Sequence, residues 1–117
     1  SAGFVIPEGG PKLVVIRGRG PSLADAGVSG VVLDPKIRLF NARRELVAEN
    51  DDWETAVNDD LLIYLSVEEY PLYERESMLV ELLAPGVYTI HMYVGDEGAS
   101  GVGILEVFEP RGQQPTF

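Results

Sequence analysis

The chain has 117 residues, no cysteine, and a net charge of −10 from 19 acidic against 9 basic side chains. That length suits one domain with a single core. The missing cysteines exclude disulfides, thiolate zinc sites and cysteine nucleophiles, and the acidity argues against nucleic acid, whose binding relies on clustered Lys and Arg.

Thirteen glycines and eight prolines divide the chain into short runs, the pattern of an all-β domain. "GFVI" (Gly3–Ile6) is a β-branched run closed by Pro7 and the turn "PEGGP". "KLVVIRGR" (Lys12–Arg19) follows with strong strand composition, Val14 and Ile16 facing one way and Leu13, Val15 and Arg17 the other. The two runs read as a hairpin. "GPSLADAGVSG" lacks periodicity and reads as loop with room for one helical turn.

"PKIRLFN" (Pro35–Asn41) alternates Ile37 and Leu39 against Lys36, Arg38 and Phe40, and "ARRE" turns the chain into "ELVAEN" to make a second hairpin. Residues 54–68 fit neither a helical nor a strand period, so a short helix and an irregular strand both stay open. Met78–Leu83 reads as a strand, "APG" as a tight turn, and Val87–Val94 as a strand alternating Tyr88, Ile90 and Met92 against Val87, Thr89 and His91. Val102–Glu109 is the last strand, and residues 110–117 form an extended tail. Seven or eight short strands in one domain, residues 1–117, predict an antiparallel β-sandwich of jelly-roll or immunoglobulin-like layout. No apolar run approaches the ~20 residues that span a bilayer.

Enzyme chemistry finds little support. His91, the single histidine, sits mid-strand, and Ser22, Ser29, Ser66, Ser77 and Ser100 lack a nucleophile motif. A carboxylate pair of Asp51 or Asp52 with Glu76 would need a cleft that so small a sandwich hardly offers. "GRGPS" and "PEGGP" lack phosphate-loop spacing. The acidic stretch "AENDDWETAVNDD" raises calcium, which takes six to eight hard oxygens. The EF-hand spacing fails from Asn50, because Thr55 and Leu61 stand where Gly and Glu are required. A calcium site would gather Asp34, Asn50, Asp51, Asp52 and Glu76 from separate loops. The competing expectation is a local turn with Trp53 plugging the sandwich edge. Tyr64, Tyr70, Tyr73 and Tyr93 are candidates for stacking on carbohydrate.

Taken together, "RGRGPSL", the "LDP…L…LVAENDDW" block and "LAPGVYT" resemble a β-sandwich module of bacterial secreted and surface proteins. The layout is similar to the bacterial pre-peptidase C-terminal domains, from about Gly3 to Glu109. The resemblance implies a non-catalytic structural or accessory domain outside the cytoplasm, with no catalytic residues to carry over. Members of this group usually have a further strand before the position of Gly3, and "PRGQQPTF" extends past their usual end. Both features lead us to expect head-to-tail association between copies or neighbouring domains, the tail completing an open edge as in strand exchange. The alternative expectation is an accessory module that binds carbohydrate or matrix, with calcium as a possible stabiliser.

Overall fold

The computed structural model describes residues 2–52, 61, 64–65, 71, 73, 75–94 and 101–110. Its elements run β1 (Ala2–Ile6), β2 (Lys12–Arg19), α1 (Pro21–Asp25), β3 (Pro35–Phe40), β4 (Leu46–Asn50), β5 (Ser77–Leu83), β6 (Gly86–Val94) and β7 (Ile104–Phe108). The strands form two antiparallel sheets, one in the order β1-β6-β3-β4 and the other β5-β2-β7. The fold is the expected all-β sandwich. Among the described residues no helix is long and apolar enough to cross a membrane.

The core lies between the sheets and follows the alternation read from sequence. Ile37 and Leu39 of β3, with Tyr88 and Ile90 of β6, meet Val14 and Ile16 of β2 and Leu79 and Leu83 of β5. β2 is buried on its other face too. There Leu13 and Val15 join Met78 and Val80 under Leu61, Tyr64, Leu65 and Phe108. A strand covered on both sides reads as an apolar run rather than a strict alternation, which accounts for "LVVI".

The hairpin expected from β1 and β2 does not form. β1 pairs with β6, from Ala2 opposite Ile90 to Ile6 opposite Gly86, whereas β2 lies between β5 and β7 in the other sheet. The intervening "PEGGP" contains two prolines that cannot donate a backbone bond, and Gly9 and Gly10 take φ values of 128° and 106°. Such a loop carries the chain across the sandwich instead of folding it back within one sheet. "APG" does likewise between β5 and β6, where the Tyr88 hydroxyl donates to the Ala84 carbonyl oxygen at 2.7 Å. The second expected hairpin does form: β3 and β4 pair with a bulge between Leu39 and Phe40.

α1 is the single helical turn allowed for in "GPSLADAGVSG". It opens with Pro21, a residue suited to the first helical position because its missing N–H would be unpaired there anyway. Trp53, Tyr70 and most of residues 54–70, on which the turn and helix-or-strand expectations bear, lie outside the described residues, as does the tail 111–117.

Candidate functional site

The β3–β4 hairpin determines which acidic residues can meet. Ile37 pairs with Asn50, so the residue entering β3 and those leaving β4 come out at the same end of the sheet. Asp34, Asp51 and Asp52 are brought together there, each half-buried, with one oxygen from each within 4.8 Å of the others. Asp34 Oδ1 and Asp51 Oδ1 are shielded from solvent and have no hydrogen-bond donor among the described residues. Crowded carboxylates with shielded oxygens that meet no donor are unfavourable unless a proton or a cation is shared among them. The carboxyl of Asp34 accordingly titrates above its ordinary range. Burial is the main cause, followed by the charge of Asp51, a hydrogen bond to it, and the charge of Asp52; Arg75 acts in the opposite direction.

The other two residues expected at a calcium site are engaged elsewhere. Asn50 is buried; its Oδ1 accepts the Met78 backbone N–H at 3.0 Å, and its Nδ2 donates to the Asp52 carbonyl oxygen at 2.9 Å. It thereby ties β4 to β5 and shapes the turn that presents the aspartates. Glu76 is 1% exposed, and its Oε2 accepts from the Gly20 N–H, the Ser22 N–H and the Ser22 hydroxyl. These are the unpaired donors at the start of α1. The chain's own carboxylate therefore occupies the place an anionic ligand would take in "GRGPS". The aspartate cluster offers three carboxylates toward a calcium shell of six to eight oxygens, and the balance would come from backbone or water.

The tyrosines separate by environment. Tyr64 packs on the outer face of the three-stranded sheet, the Tyr73 hydroxyl donates to Asp25 Oδ2, and Tyr93 lies on the outer face of the four-stranded sheet. His91 shares that face, its ring 5.4 Å from Phe40 and 6.1 Å from Tyr93. Of the serines, Ser22 is taken by Glu76, Ser77 is buried, and Ser66 and Ser100 lie outside the described residues.

A different feature marks the long side of the sandwich. Where β4 meets β5 the sheets are joined through Asn50 and Met78. At the opposite side, β1 and β7 are the end strands of their sheets among the described residues. A groove of about 320 Å³ opens between them, with Phe4, Val5, Ile6, Val14, Val107 and Phe108 in its walls. Val107 pairs with Ile16 and so faces inward, yet it is 38% exposed. Val5 on the facing edge is 64% exposed. Strand pairing that depends on non-neighbouring segments placed this groove, and no local sequence signal marks it.

Comparison of the chain with protein-family models, with curated proteins and with solved structures finds no match.

Proposed function

We propose that this chain is a non-catalytic structural module of an extracellular or cell-surface assembly, and that a strand from a neighbouring copy or domain completes the seam between β1 and β7. The observation that carries the reading is Val107, an inward-facing apolar residue left 38% exposed at an edge. Free strand edges beside uncovered apolar surface are features that monomeric proteins normally blunt with charge, proline or a covering loop. Here the groove walls are largely apolar, with charge confined to the Lys12 and Glu109 end. An extended segment laid there would gain main-chain hydrogen bonds from an edge and cover Val5 and Val107. Because donor and acceptor surfaces differ, the contact is head-to-tail and propagates unless its rotation closes a ring. The resemblance of "RGRGPSL", "LVAENDDW" and "LAPGVYT" to secreted pre-peptidase C-terminal-type modules supports the same role and compartment.

Light scattering over rising concentration, with electron microscopy of the same samples, tests the reading. The chain should assemble, and Val5→Lys and Val107→Lys should remain folded but stay monomeric. A wild-type chain that remains monomeric at the highest concentration reached would overturn the proposal. Deleting residues 111–117 then shows whether that segment is the donated strand.

A further inference from the structure

The outer face of the four-stranded sheet carries a second surface, independent of the seam. β6 and β3 are neighbours there, with Tyr93 opposite Lys36, His91 opposite Arg38 and Thr89 opposite Phe40. These outward positions build a depression of about 480 Å³ lined by Phe40, Asn41, Arg44, Thr89, His91 and Tyr93. That size lies within the range of small-ligand sites. Phe40 meets the His91 ring edge-on at 5.4 Å, and the Arg38 guanidinium lies 4.7 Å over the Tyr93 ring. Arg38 is also paired with Glu49 at 2.9 Å, so the cation that covers one face of the Tyr93 ring is itself fixed.

Charge on this face runs against that of the whole chain. Among the described charged residues of this face and its β3–β4 turn, Lys36, Arg38, Arg43 and Arg44 outnumber Glu45 and Glu49, in a protein of net charge −10. With Arg38 neutralised by Glu49, Lys36 and Arg44 are left to attract an anion. Arg44 has a further peculiarity. It is the one non-glycine residue with positive φ among the described residues, at 63°. For a residue with a Cβ this left-handed conformation costs about 1 kcal/mol or more. Glycine would fit the turn better, and a side chain kept at local cost on the rim of a depression points to a use for that side chain.

We propose that this face binds a short oligosaccharide carrying a uronic acid. Flat aromatic rings favour the apolar face of a sugar ring, Thr89 and His91 offer hydrogen bonds to its hydroxyls, and the Arg44 fork matches a carboxylate in a two-point pairing. A long polyanion is disfavoured, because beyond this face the acidic surface repels it. A neutral sugar would use the rings and leave Arg44 and Lys36 without a counter-charge.

Titration calorimetry with trigalacturonic acid, and with a neutral trisaccharide of glucose as control, tests this directly. The acidic trisaccharide should bind at least about tenfold more tightly than the neutral one, the difference expected from one charge-assisted contact. Arg44→Gly should lower that affinity by about tenfold while melting no lower than the wild type, since glycine relieves the backbone. Tyr93→Ser, at a 39% exposed position, should weaken both sugars. Absence of binding by the acidic sugar at millimolar concentration, equal affinity for the two sugars, or unchanged affinity in Arg44→Gly would each overturn the proposal. Because Arg44 and Tyr93 do not line the seam, both variants should assemble as the wild type does. Failure here therefore leaves the assembly reading untouched.

Discussion

Glu76 and Ser22 are joined twice across 54 residues of sequence: Glu76 Oε2 accepts the Ser22 backbone N–H at 2.9 Å and its hydroxyl at 2.6 Å. The same oxygen takes the Gly20 N–H at 2.9 Å, and the Ser22 hydroxyl in turn accepts from Arg19 Nε at 3.0 Å. "RGRGPSL" is thus the sequence of a turn built to surround one buried carboxylate. A buried charge is tolerated when its lone pairs are filled by donors that have no other partner.

Replacing that carboxylate should be expensive. Glu76→Gln leaves one neutral acceptor for three donors, and the loss of charge-assisted bonding should lower stability by about 1.5–3 kcal/mol. Glu76→Ala strands two buried backbone amides and should cost more still. Urea melts measure both. The loss should be the same in calcium and in EDTA. A loss that shrinks to nothing once calcium is chelated would mean that Glu76 acts as a metal ligand instead.

Two glycines in the same motif are required by contact. A Cβ on Gly18 would lie 2.6 Å from Ser77 Oγ and 2.8 Å from Ile37 Cγ2, both buried between the sheets. On Gly20 it would lie 1.9 Å from the Val32 carbonyl oxygen, a backbone atom that cannot turn aside. Gly18→Ala should therefore cost about 1–3 kcal/mol, as overpacked cores do. Gly20→Ala should cost more, because the loop after α1 must move. Equal melting temperatures for the two variants would contradict this ordering.

Much of the framework could be read locally. Alternation assigned Ile37 and Leu39, and Tyr88 and Ile90, to the buried face because strand periodicity is a property of each segment alone. Partners are a different matter. β1 and β2 carry every local mark of a hairpin except that "PEGGP" crosses between sheets, and the pairing of β1 with β6 joins residues 80 to 88 positions apart. The meeting of Asp34 with Asp51 and Asp52 was implicit in the β3–β4 hairpin, since register alone brings its two ends together. The role of Glu76 was not. An acidic residue in a charged stretch looks like surface until the donors that surround it are known. The outer-face cluster of Phe40, His91 and Tyr93 likewise required the β3–β6 neighbourhood.

Tyr88 offers a smaller test of the crossing between β5 and β6. Its ring stacks on Phe4 at 5.5 Å, and its hydroxyl holds the Ala84 carbonyl at 2.7 Å. Tyr88→Phe keeps the ring and frees the carbonyl, so a loss of about 1 kcal/mol is expected in thermal or urea melts. A loss several times larger would show that the hydroxyl sets the geometry of the crossing and does more than add one bond.

The aspartate cluster predicts a definite dependence on pH. Asp34 has a folded-state pKa above its ordinary 3.8, chiefly through burial and then through the charge and hydrogen bond of Asp51. An acid whose pKa rises on folding binds its proton more tightly in the native state than in the unfolded one. Its stabilising contribution is complete below 3.8 and is lost as pH rises through the raised folded value. Compared with Asp34→Asn, the wild type should therefore gain stability as pH falls from about 7 toward about 4. In EDTA at neutral pH the variant should be the more stable of the two, because it removes one of three crowded negative charges. EDTA itself should leave the melting temperature of the wild type nearly unchanged, since the one oxygen that each of three carboxylates brings to the cluster supplies half or less of a calcium shell. A cation bound only by the folded chain would instead raise stability by RT ln(1 + [L]/Kd). A large fall in melting temperature on chelation, restored by calcium in the wild type but not in Asp34→Asn, would show that a metal ion rather than a proton bridges Asp34 and Asp51.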